Sequence, residues 1–174
     1  MADAEFEPRF YELLRVFSRY RLARLELLSA IRCVGSNRDP LPEFSEQLAL
    51  AALGGTLAES RVQAGWDFMD LIGRRVQVRC LANPIGRWVN EHLVDFRDGG
   101  CDLYALVFFA AFDVEAIVVF DGQRMNEVGA ALGKTPPNQE RTLQLTQLNY
   151  KAILASPDRF LPFGVQVIDL RTTT

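Results

Sequence analysis

The chain has 174 residues, 49% hydrophobic and 24% charged, which suits one domain with a substantial core and excludes a disordered tail-like protein. A formal net charge of −3 argues against a strongly basic surface coating nucleic acid, although it leaves room for local basic patches. No apolar run reaches the roughly 18 residues of a membrane span, and the acidic stretch from Met1 to Pro8 lacks the regions of a signal peptide, so the expected location is cytoplasmic, with no membrane partner.

In chain order, Glu5 to Val34 reads as one long helix. Phe6, Phe10, Leu13, Leu14, Phe17, Tyr20, Leu25, Leu28 and Ile31 fall near helical spacing, with arginines over much of the remainder. Gly35-Ser36-Asn37 is the expected stop, and Asp39-Pro40-Leu41-Pro42 a stiff connector. A second helix follows from about Glu43 to Leu53, ended by Gly54-Gly55. Short strands are expected over Thr56 to Ser60 and Trp66 to Leu71. Arg75 to Leu81 alternates Val76, Val78 and Cys80 against Arg75, Gln77 and Arg79, a half-buried strand entered through the turn Ile72-Gly73-Arg74.

Asn83 to Gly100 is a long connection. Leu103 to Ala110 and Val114 to Phe120 are near-continuous apolar runs that suit strands buried on both faces. A short helix over Gln123 to Leu132, a loop to Arg141, a strand over Thr142 to Leu148, a helical turn or two over Asn149 to Ser156 and a last strand from Val165 to Leu170 complete the pattern. The expectation is an α/β (α+β) fold with a mixed central sheet flanked by helices. Residues 1–40 form an N-terminal helical extension to a core of residues 41–174, in one compact domain overall.

Three cysteines, Cys33, Cys80 and Cys101, are far apart, and His92 is the only histidine. These numbers argue against a zinc site and a disulfide framework, and nothing near His92 forms a nucleophile motif. Four other positions draw together. Glu46 lies on the second helix and Asp67 in Ala-Gly-Trp-Asp-Phe. Gln77 and Arg79, two apart on one strand, share a face. Asp67 precedes Gln77 by ten residues across a tight turn, so a hairpin places them side by side.

A Glu-bearing helix ending in Gly-Gly, then Gly-Trp-Asp, then a hairpin into Val-Gln-Val-Arg resembles the core of the PD-(D/E)XK, or restriction-endonuclease-like, superfamily, over roughly Leu41 to Phe120. It is most similar to small bacterial members with Gly-Tyr/Trp-Asp and Gln-Val-Lys motifs. The resemblance implies a Mg²⁺ (or Mn²⁺) site with Asp67 as main ligand, Gln77 as a neutral second and the Val78 carbonyl as a third, while Glu46 tunes the metal or holds a water. It implies a nuclease-like hydrolase acting on or binding DNA. Arg79 departs from the pattern, which has Lys there. A guanidinium keeps the charge and can clamp a phosphate, but it cannot act as a base. Only Lys134 and Lys151 are lysines, against 17 arginines, so compositional drift also accounts for Arg79.

Plainer readings stand beside these. Asp67 caps the turn or pairs with Arg74 or Arg75; Glu46 is a solvated helix residue; Gln77 and Arg79 form the wet face of a strand. Trp66 and Trp88 are packing residues, and His92 is a loop residue. An ion pair of Arg79 with Asp67 or Glu46 would mark a closed site. The alternative function is a non-catalytic interaction module with a vestigial nuclease site, a homo-oligomer assembled through the N-terminal helix.

Overall fold

A computed structural model describes residues 8–36, 38–58, 65–81, 92–95, 100–110, 113–134 and 142–171. The chain divides into two compact units, Met1–Phe44 and Ser45–Thr174. No helix among the described residues is long and apolar enough to cross a membrane.

The first unit is dominated by helix α1, Pro8–Ala30. It stops four residues short of the Val34 expected from periodicity. The Cys33 N–H donates to the Leu28 carbonyl at 2.8 Å and the Arg32 N–H to that of Ser29 at 3.1 Å, while Arg32 sits at φ 57°. This pairing with a left-handed residue is the Schellman ending, and glycine is its usual occupant. Apolar spacing runs on past it because Ile31 and Cys33 still point inward, packing with Leu28, Leu27 and Phe44. An L-residue in the left-handed region costs about 1 kcal/mol. Arg32→Gly is therefore expected to stabilise this unit by about that amount, read as a higher urea midpoint at unchanged slope.

Helix α2, Leu41–Leu53, begins where Asp39 accepts the Leu41 N–H at 3.0 Å, so the connector is also the cap. Ser45 and Ala49, one turn apart, form its buried line.

The second unit holds a six-stranded sheet. Its strands are β1 (Thr56–Leu57), β2 (Phe68–Met69), β3 (Arg75–Leu81), β5 (Leu103–Ala110), β6 (Asp113–Asp121) and β8 (Val165–Asp169), adjacent in that order. The β3–β5 pair is parallel and the others antiparallel, so the sheet is mixed, as expected. Strands β4 (His92–Asp95) and β7 (Thr142–Leu145) form a separate antiparallel ribbon. His92 thus opens a strand, not a loop. The strand within the long connection is not marked in the sequence, because four residues paired to a segment fifty residues away carry little local signal.

β3 and β5 have the expected bounds, and β6 extends one residue beyond each expected end. Seven consecutive residues of β5, Leu103 to Phe109, are buried, the signature of a strand covered on both faces. On one face, Tyr104, Leu106 and Phe108 join Ala116, Val118 and Phe120 of β6. They pack with Tyr150 and Ile153 of α4 (Gln147–Ala155) and Phe160 of α5 (Pro157–Phe160). The Phe108 and Tyr150 rings stack at 5.3 Å. Burying each such side chain contributes roughly 1.5–3 kcal/mol. Helix α3 (Met125–Ala131) adds Met125 and Val128 to the same cluster.

α5 lies past Ser156, where the expected helical turns end. Pro157 opens the new helix, where a missing N–H costs nothing. Trp66 packs against the main cluster, in keeping with a packing role. Trp88 and residues 59–64, 82–91 and 135–141 lie outside the described residues.

Candidate functional site

The site is built by the β2–β3 hairpin. Its turn is fixed by Asp70, whose Oδ1 accepts the N–H groups of Ile72 and Arg74 at 3.0 and 2.9 Å, and by Gly73 at φ 84°. Arg74 closes on Asp70 as well, at 2.8 Å. The ladder pairs Phe68 with Val76, and the Asp67 N–H donates to the Val76 carbonyl at 2.8 Å. One step further along β3, no strand carbonyl remains to receive the Val78 N–H. The Asp67 carboxylate supplies one, with Oδ2 accepting it at 2.6 Å. The same oxygen accepts the Gln77 side-chain N–H at 2.9 Å. Because an ionised carboxylate only accepts, it fixes which end of the amide faces it.

Arg79 is exposed, and its guanidinium donates to the Val78 carbonyl at 2.9 Å. Val78 N–H and C=O both point to the side where β2 has ended, since Val76, two residues earlier, presents its carbonyl there. Asp67 and Arg79 together therefore bond the Val78 N–H and C=O, which strand pairing with β2 leaves open. Gln77 is buried, opposite Tyr104 in the parallel register, and Arg79 is opposite Leu106.

Burial raises the Asp67 pKa. The Val78 N–H, the nearby Arg79 charge and the Gln77 amide lower it, in that order, without cancelling the rise. Among the described residues no ion pair within 4 Å joins Arg79 to Asp67. Glu46 lies half-buried on α2 beside Ser45. Asp67, Gln77, Val78 and Arg79 thus meet at one place.

A divalent ion tests poorly against this donor set. Mg²⁺ takes oxygen ligands in near-octahedral geometry. Asp67 Oδ2 is already bonded to two N–H groups, Gln77 turns its nitrogen inward, and the Val78 carbonyl is taken by a cation of the protein's own. No three His, Cys, Asp or Glu side chains among the described residues gather as a metal-holding group.

One strong pair was missed from sequence. Arg75 grips Asp102 through its Nε and its N–H to Oδ2, at 3.0 and 2.8 Å, and through Nη2 to Oδ1 at 3.1 Å, while the Asp102 N–H returns to the Arg75 carbonyl at 2.8 Å. The bridge fastens the start of β3 to the start of β5, and its hydrogen bonds hold Asp102 below the usual carboxylate range. Asp102 was visible at the head of an apolar strand, but its partner depends on parallel register, which a single sequence does not reveal. With Arg74 on Asp70 and Arg75 on Asp102, neither arginine pairs with Asp67.

Compared with known proteins, the chain matches no family model and no curated protein.

Proposed function

We propose that this chain is a non-catalytic interaction module on a restriction-endonuclease-like core, with a vestigial nuclease site. The observation that carries this reading is the closure of Val78 by Asp67 and Arg79. Two of the three oxygens that a nuclease would turn toward a metal are bonded to the protein's own donors. In this reading Asp67 finishes a strand edge, and Arg79 is a fixed cation at its rim. With its N–H and C=O already bonded, Val78 offers no pairing position to another chain.

A second reading, a Mg²⁺-dependent nuclease acting on DNA, has two observations in its favour. Asp67, Gln77 and Val78 converge as that chemistry needs, and the raised pKa of Asp67 marks a carboxylate held at some cost.

The two readings part in one assay. Wild type and Arg79→Lys are incubated with plasmid and single-stranded DNA in Mg²⁺ and in Mn²⁺, and Mn²⁺ binding is followed by calorimetry. The expected result is no cleavage and no heat with either protein. Metal-dependent cleavage by wild type that Asp67→Ala abolishes would reject the module reading. Cleavage that appears only in Arg79→Lys would instead locate the loss of activity at Arg79, since a compact ammonium is worth on the order of a hundredfold in rate over a guanidinium in such a site.

A further inference from the structure

We draw no further inference here: the strongest candidate, the apolar tip of the β2–β3 hairpin where Leu71 and Ile72 are 80 and 76% exposed, carries nothing because nothing in the structure shows what covers it.

Discussion

Gly55→Ala is expected to destabilise the second unit by on the order of 3 kcal/mol or more, a loss of about 10 °C in Tm for a domain of this size. Gly55 follows α2 at φ 126°, and a methyl group there would lie 2.0 Å from the Met69 carbonyl oxygen and 2.8 Å from the Asp70 Cα. Both obstacles are backbone, so no side-chain rotation relieves them. β2 must move, and with it the hairpin that carries Asp67. Gly73→Ala is the contrasting change. Its φ is 84°, yet nothing lies within 4 Å of an added methyl, so only the left-handed conformation is penalised, at about 1 kcal/mol. Thermal unfolding of the two variants side by side measures the difference. A Gly55→Ala protein as stable as Gly73→Ala would mean that the end of α2 does not hold β2 where it is described.

The same two glycines show how far the sequence could be read. Gly54-Gly55 was legible as a helix stop, but its close approach to Met69 was not, since that depends on where a strand fourteen residues later returns. The bounds of β3, β5 and β6 were legible almost to the residue from alternation and continuous apolar runs, but Gln77, expected on the wet face of β3, is buried between Val76 and Val78. α1 was overrun at its C-terminus because the stop uses Arg32 in a conformation usually left to glycine. The strand at Thr142 was expected, but β4, its pairing with β7 and the Arg75–Asp102 bridge escaped for a common reason, which is that they depend on long-range register.

At the site, the meeting of Asp67, Gln77 and Arg79 followed from hairpin length and strand alternation. The use of the Asp67 carboxylate as a replacement strand carbonyl did not follow, because it needs the residue at which β2 stops pairing. That detail separates a side chain kept for its charge from one kept for its shape.

Asp67 is where that distinction becomes measurable. Asp67→Ala is expected to cost about 2–3 kcal/mol, because the Val78 N–H and the Gln77 amide lose their acceptor in a partly buried place. Asp67→Asn keeps an oxygen in position and removes a charge whose burial is unfavourable. It is expected to lie within about 1 kcal/mol of wild type at neutral pH, or above it. The pH dependence follows from the raised pKa. Between the ordinary carboxylate value of 3.8 and the raised folded-state value, the folded chain binds the proton more readily than the unfolded one. Stability from this group therefore falls as pH rises through that window and is level above it. Asp102, with its pKa lowered by Arg75, has the opposite sign: its contribution is present above the unfolded-state value and is lost on acidification through the folded-state value. The whole protein blends the two, so the informative quantity is the difference between wild type and Asp67→Asn by urea unfolding at neutral and at mildly acidic pH. Wild type should gain on the variant as pH falls, while Asp67→Ala stays well below both. If Asn proves as damaging as Ala at neutral pH, the negative charge itself is required beside Arg79, and the carboxylate is more than a stand-in for a strand carbonyl.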